Sequence, residues 1–166
     1  MLFPAMPPSA SEIGKYLISL VDEDEGDSIS NLKLQKLLYY SQGFYLAMFD
    51  KPLFHEAIKK WLHGPVVPQV WHEYKEYGSG PIPVRSVDCE AYTPQVRELL
   101  DEVFAVYGQF SATKLRNMTH NEPPYLQAAD NEAISHDVMK EFFKTLVIED
   151  EEGQEQDQET ASDARL

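Results

Sequence analysis

Histidine and acidic side chains are the groups in this sequence that could carry out acid–base chemistry. His120 and Glu122 stand two residues apart, close enough for an imidazole and a carboxylate to exchange a proton. The alternative, which we favour, is that His120 ends a helix, where the negative end of the helix dipole stabilises a cationic imidazole. An enzyme or metal protein built on this pair is therefore the weaker interpretation, and we expect no catalytic residues.

The five histidines do not have the spacing of a metal site. No two of them lie four residues apart, as two ligands on one helix face would, and neither a CxxC nor an HExxH motif occurs. His63 and His72 are nine residues apart across a Gly-Pro break, which is no ligand spacing either. We expect neither a metal site nor any other cofactor.

The stretch 59–74, KKWLHGPVVPQVWHEY, contains both tryptophans of the chain, one on each side of a Gly-Pro break. Trp61, Trp71 and Tyr74 belong to the residue types that dominate the energy of protein–protein interfaces. They could equally be core residues that hold the Gly-Pro corner in place. Periodicity alone leaves both interpretations open.

The charge of the chain, −14 at neutral pH, is concentrated in two segments. Residues 149–166 contain eight acids and one arginine, and residues 22–27 contain five acids. Such a chain repels nucleic acids and anionic membranes, so neither is an expected partner, whereas a basic protein would be attracted. The segment 149–166 is too polar to bury a core and is predicted to be a disordered tail.

The cellular location follows from what is missing. One cysteine, Cys89, allows no disulfide within the chain, as suits a reducing compartment. The first residues, MLFPAMPP, have neither a basic region nor a long apolar run, so we predict no signal peptide and no membrane span. The expected location is the cytoplasm.

Apolar spacing and helix caps predict a mainly α fold, a single compact helical domain of about six to seven helices with short extended segments. The predicted boundaries are a flexible N-terminus at 1–8, the domain at 9–148 and the acidic tail at 149–166. The predicted N-caps are Ser9, with Glu12 completing a capping box, and then Ser30, Thr93, Ser111 and Ser135.

Several finer predictions concern single elements. A helix over 31–48 is apolar on most sides and is predicted to be the buried centre of a bundle, with Leu34, Leu37, Leu38, Tyr45 and Met48 on one face. Its polar residues Lys33, Gln35 and Lys36 are predicted to face solvent. Residues 56–62 could be a strand or one to two helical turns. Pro68 is predicted to open a helix that ends at Gly78, and Val106 to face inward on the helix that follows Thr93. Residues 125–131 are predicted to form a short helix after a break at Pro123-Pro124.

Three blocks of the sequence resemble the Panacea domain family, also described as SocA-like or phage-associated GepA-like proteins. The blocks are LKLQKLLYYSQGFYLAMFDKPLF at 32–54, WLHGPVVPQVWHEYKEYG at 61–78 and FSATKLRNMTHNEPPYLQA at 110–128. They occur in the order typical of the family. The matching positions are Lys36, Trp61, Gly64, Pro65, Val66, Pro68, His120 and Pro124. Tyr125 stands where the family usually has Trp, and Asp50 where Gly is common.

The resemblance implies an antitoxin of a bacterial or phage toxin–antitoxin system that neutralises a cognate protein toxin, encoded next door, by direct binding. A second implied function is that of a proteolytic adaptor, which would hand the toxin to an ATP-dependent protease of the ClpXP type. The predicted partner-binding residues are Trp61, His63, Gly64, Pro65, Val66, Val67, Trp71, Tyr74, His120, Glu122 and Tyr125.

Overall fold

The computed structural model describes residues 6–147. The predicted acidic tail and most of the predicted N-terminal segment lie outside the described residues. Within 6–147 the fold is mainly α, as predicted, with seven α-helices and one small sheet. The helices are α1 (Ala10–Ser19), α2 (Asn31–Phe49), α3 (Pro68–Tyr74), α4 (Pro94–Tyr107), α5 (Ala112–His120), α6 (Pro123–Gln127) and α7 (136–147). The strands are β1 (Lys59–Trp61) and β2 (Gly64–Val66).

Local capping sets the starts of the helices, and every predicted N-cap is confirmed. The hydroxyl of Ser9 accepts from the backbone N–H of Glu12, and the side chain of Glu12 completes the capping box. The hydroxyls of Ser30, Thr93 and Ser111 accept from the N–H three residues further on. Ser135 does the same for α7. These bonds satisfy backbone donors that have no partner inside the helix.

Helix α2 is the centre of the domain, as its apolar pattern predicts. It contacts α1, α3, α4, α5 and β2. The prediction that its polar side chains face solvent is wrong for Gln35 and Lys36, which are fully buried. A helix surrounded by neighbours has no side left for water, so its polar groups must bond within the protein. Lys33 is half-buried and donates to the carbonyl oxygen of Gly108.

The second half of α2 packs against α7 through aromatic side chains. The ring of Phe143 meets Tyr39, Tyr40 and Phe44 edge-on. Gly43 lets this ring approach the helix, because a Cβ there would lie 2.1 Å from Cε2 of Phe143. The same surface fixes α7 on the bundle without any polar contact.

Asp50 ends α2 with a positive φ of 57°. Glycine suits this conformation best, but aspartate is among the residues that tolerate it. The carboxylate of Asp50 also forms an ion pair with Lys140 on α7. The departure from glycine at this position is therefore compatible with the same helix end.

The segment between α2 and α3 forms a β-hairpin. Strands β1 and β2 pair antiparallel, with Trp61 opposite Gly64. The other edge of β1 bonds to residues 131–134, where the N–H of Lys60 donates to the carbonyl oxygen of Glu132. Of the two alternatives for residues 56–62, the structure shows the strand.

Other elements differ from prediction at their ends. Pro123 is the first residue of α6, so the helix predicted at 125–131 begins two residues earlier and ends at Gln127. The α3 segment does end at Gly78, after a 3₁₀ turn. Met48 and Val106 are 53% and 45% exposed, because both lie in the last turn of their helices, where only part of the helix surface is covered. No helix within 6–147 has the length and apolar character needed to cross a membrane.

Candidate partner-binding surface

Two buried amides of α2 hold the corner between β2 and α3. The side-chain oxygen of Gln35 accepts from the backbone N–H of Val67 at 2.9 Å, and its nitrogen donates to Asn31. Asn31 in turn donates to the carbonyl oxygen of Trp71 at 3.0 Å. Both ends of the corner are thus bonded to one rigid helix, which fixes the direction in which Trp71 leaves the surface.

Lys36 reaches the same corner from one turn away. Its Nζ donates to the carbonyl oxygen of Pro65 at 3.1 Å, and the side chain is fully buried. Gly64 makes room for it: a Cβ at Gly64 would lie 2.6 Å from Cε of Lys36, and the φ of Gly64 is +114°. Burial, assisted by the positive charge of Arg116, lowers the pKa of Lys36 to about 7.

His120 and Tyr125 hold the tip of the hairpin. The hydroxyl of Tyr125 donates to the carbonyl oxygen of Trp61 at 2.7 Å. The Nε2 of His120 lies 3.0 Å from the carbonyl oxygen of Leu62 and 3.1 Å from the hydroxyl oxygen of Tyr125. Since a carbonyl only accepts, Nε2 carries the proton and donates. Burial lowers the pKa of His120, so the favoured form is the neutral imidazole.

The hairpin presents a shallow groove at the surface, which we name the corner groove. It is lined by Leu32, Trp61, Leu62, His63, Val66, Trp71 and Asn131 and has a volume of about 270 Å³. The indole rings of Trp61 and Trp71 meet edge-on with centroids 6.1 Å apart, and both side chains are half-buried. Leu62 at the tip is 78% exposed. A large apolar side chain held out on a bonded turn is typical of an interface rather than of a core.

The predicted partner-binding residues divide into four groups in the structure. Trp61, His63, Val66 and Trp71 line the corner groove together. Gly64, Pro65 and Val67 are buried behind it, and His120 and Tyr125 support its tip.

Tyr74 does not belong to this surface. It lines a separate cavity of about 370 Å³ between α1, α3 and the segment 82–87. Its neighbours there include Lys15, Tyr77 and Arg85. The helix turn that separates Trp71 from Tyr74 carries the latter away from the hairpin.

Glu122 also lies apart from the corner groove. Its two carboxyl oxygens accept from the hydroxyls of Tyr39 and Tyr40, each at 2.9 Å. Burial raises the pKa of Glu122 to about 7, although both tyrosine bonds act in the opposite direction. The hydrogen bonds of His120 and Glu122 thus go to different partners. This arrangement gives an acid–base pair no support. His120 does end its helix, as the alternative predicted, but as a neutral donor rather than a cation.

Three groove residues were missing from the sequence-based prediction: Leu32, Leu62 and Asn131. Leu62 could have been found from its place between Trp61 and His63, at the turn of a hairpin. Nothing in the sequence points to Leu32 or Asn131, which join the groove only because α2 and the segment 131–134 pack on the hairpin. Within residues 6–147 no three His, Cys, Asp or Glu side chains come close enough together to hold a metal ion.

Comparisons with known proteins can now be set beside this geometry. A family model described as "Antitoxin SocA-like, Panacea domain" matches residues 34–125, more than half of the chain. "Antitoxin SocA" of Caulobacter vibrioides (strain NA1000 / CB15N) is 29% identical over 103 residues, which are 55% of this chain and 55% of that protein. The chain therefore spans about half the length of the curated relative it matches. No solved structure matches.

Fold and surface define a helical domain that presents an aromatic corner on a hydrogen-bonded frame. The chain belongs to the SocA-like antitoxin family with a Panacea domain. The matched range begins within α2 and ends at Tyr125, so it includes the hairpin, the corner groove and the side chains that support it. Membership of an antitoxin family favours a role in binding over one in catalysis.

Proposed function

We propose that this chain is an antitoxin that neutralises its cognate protein toxin by direct binding at the corner groove. The observation that carries the proposal is the exposed Leu62, held beside two half-buried tryptophans by the bonds of His120 and Tyr125. A pre-ordered apolar surface loses little conformational entropy on binding. Family membership supplies the kind of partner, a protein toxin, which we take to be the product of the neighbouring gene.

The first experiment is co-expression of the tagged protein with the product of the neighbouring gene. Pull-down followed by size-exclusion chromatography should give a stoichiometric complex, and growth should be restored in cells that make the toxin. A neighbour that is harmless when expressed alone would refute the proposal. So would toxicity that persists in the presence of this protein.

The second experiment places the interface. Leu62→Asp should weaken the complex by at least about thirtyfold, since a central apolar contact contributes about 2 kcal/mol or more to binding. It should leave the free protein stable, because Leu62 makes few contacts there. Met48→Asp is the matched control, since Met48 is 53% exposed at the end of α2. Equal effects of the two substitutions would show that the corner groove is not the interface.

A proteolytic adaptor is the second candidate function. The observation that favours it is the strongly acidic segment 149–166, with eight acids in 18 residues, which could serve as a tether to an ATP-dependent protease. Deletion of 149–166 should leave toxin binding intact and lengthen the lifetime of the toxin in a pulse–chase experiment. An unchanged lifetime would rule out a role of this segment in delivery.

A further inference from the structure

Two long segments of this acidic chain contain no acid at all. Residues 57–72 contain two lysines and two histidines but neither Asp nor Glu. Residues 103–121 likewise lack acids and contain Lys114, Arg116 and His120. The whole chain has 28 acids and only 14 lysines and arginines, so these segments differ strongly from the rest.

The fold brings the two segments together at the corner groove. His120, at the end of α5, bonds to the carbonyl oxygen of Leu62 at the hairpin tip. Arg116 lies one turn earlier on α5, and the charges of Arg116, Lys36 and His63 all act to lower the pKa of His120. The side of the hairpin that faces α5 is therefore positive, although the chain as a whole is negative.

Lys59 adds a positive charge on the groove itself. Alternate residues of a strand share a face, so Lys59 lies on the same face of β1 as Trp61. It also pairs with Val66 across the hairpin, and both Trp61 and Val66 line the groove. Lys59 is half-buried, so its charge lies close to the apolar surface.

The opposite wall of the groove has carboxylates. Asp130 and Glu132 flank the groove residue Asn131, and both are exposed. Lys60 is 4.0 Å from Asp130 and lies 4.7 Å from the centre of the Tyr125 ring, so part of its charge is used within the protein. The groove thus has one positive wall, with Lys59 and Arg116, and one negative wall.

We infer that the corner groove receives a large apolar side chain from an acidic segment of the toxin, with the carboxylates of that segment directed towards Lys59 and Arg116. The inference deepens the proposed function, because the toxin is the partner that would carry this segment. It also revises the expectation of a basic partner drawn from net charge. The acids behind that expectation lie largely at 22–27 and 149–166, outside both acid-free segments. What matters for contact is the charge next to the groove.

A nucleic acid is the other polyanion that positive charge could attract. The groove does not suit it, since its floor is apolar and the opposite wall has Asp130 and Glu132. The net charge of −14 would further oppose binding of a phosphate backbone. A short peptide with two or three acids avoids most of that repulsion.

The test uses the full-length protein and a phage-displayed library of random 12-residue peptides. We expect the selected peptides to share an aromatic or large aliphatic residue flanked by Asp or Glu. The dissociation constant of a labelled selected peptide is then measured by fluorescence polarisation. The double substitution Lys59→Gln/Arg116→Gln should weaken binding about tenfold at low salt, and by less at high salt.

The matched control is Lys15→Gln/Lys51→Gln, which removes the same charge at two exposed lysines outside the groove. Circular dichroism confirms that both double variants fold. The inference is overturned if the selected peptides are basic or share no acidic pattern, or if no peptide is selected. It is also overturned if the two double variants weaken binding equally, or if labelled DNA or RNA binds and is released by Lys59→Gln/Arg116→Gln.

These results are independent of the proposed function. If acidic peptides bind at the groove while the product of the neighbouring gene forms no complex, the proposed function fails and the inference stands. If the complex forms and is unaffected by Lys59→Gln/Arg116→Gln, the inference fails and the proposed function stands.

Discussion

Gly64 is the residue at which one added methyl group should do most damage to the frame of the corner groove. Its φ of +114° is a conformation that side chains strain, at a cost of about 1–3 kcal/mol. In Gly64→Ala the new Cβ would also lie 2.6 Å from Cε of Lys36 and 3.1 Å from Oγ1 of Thr119. Moving Lys36 aside breaks its bond to Pro65 and leaves a buried amine without a partner, for about 1–3 kcal/mol more. We expect Gly64→Ala to lower the free energy of unfolding by about 3–5 kcal/mol in total.

Urea unfolding followed by circular dichroism measures this loss, and Gly26→Ala is the matched control. Gly26 also has a positive φ, +85°, but nothing lies within 4 Å of its added Cβ, so we expect a loss of only about 1–2 kcal/mol. A double-mutant cycle with Lys36→Ala separates the two causes, because removal of the lysine side chain removes the overlap. In that background Gly64→Ala should cost about as much as Gly26→Ala. If Gly64→Ala costs no more than the control in the wild-type background, or as much with Lys36→Ala as without it, the reasoning is refuted.

Three further predictions concern the buried polar groups. Lys36 has a folded pKa of about 7 and an unfolded value of 10.5, so the unfolded state binds more protons between these values. The stability of the wild type relative to Lys36→Met should therefore rise with pH from 7 to 10.5, by up to ~1.4 kcal/mol per unit in urea titrations; a constant difference would contradict the low pKa. Glu122 has a folded pKa of about 7 against 4.5, so stability relative to Glu122→Gln should fall as pH rises from 4.5 to 7, again by urea unfolding, and a rise would be contrary to the assignment. Tyr125→Phe removes the donor to Trp61 and should cost about 1 kcal/mol of stability and weaken toxin binding; full stability would mean that this bond does not hold the hairpin tip.

Prediction from sequence succeeded where the cause is local. The N-cap at Ser30 depends on a bond to Lys33, three residues away, and the start at Thr93-Pro94 depends on a similar bond and on the ring of Pro94. The choice of the hairpin region as a partner surface also came from residue types, and the structure brings Trp61, His63, Val66 and Trp71 into one groove. That these residues bind a partner remains a prediction.

Prediction failed where the cause is a distant contact. Tyr74 lies on the same short helix as Trp71 but lines another cavity, and Glu122 bonds to two tyrosines more than 80 residues earlier. Sequence spacing could place neither, because a side chain on a helix surface can face core, cavity or solvent according to what packs beside it.

By itself the sequence determined the helical class of this protein, the starts of its helices and its resemblance to an antitoxin family, because caps, apolar spacing and motifs are readable from neighbouring residues. Only the tertiary structure decided the fate of Gln35 and Lys36. Their partners, the N–H of Val67 and the carbonyl oxygen of Pro65, lie about 30 residues away along the chain. A polar side chain on a helix can be satisfied equally well by water or by distant backbone, and α2 has no water side because the other elements surround it.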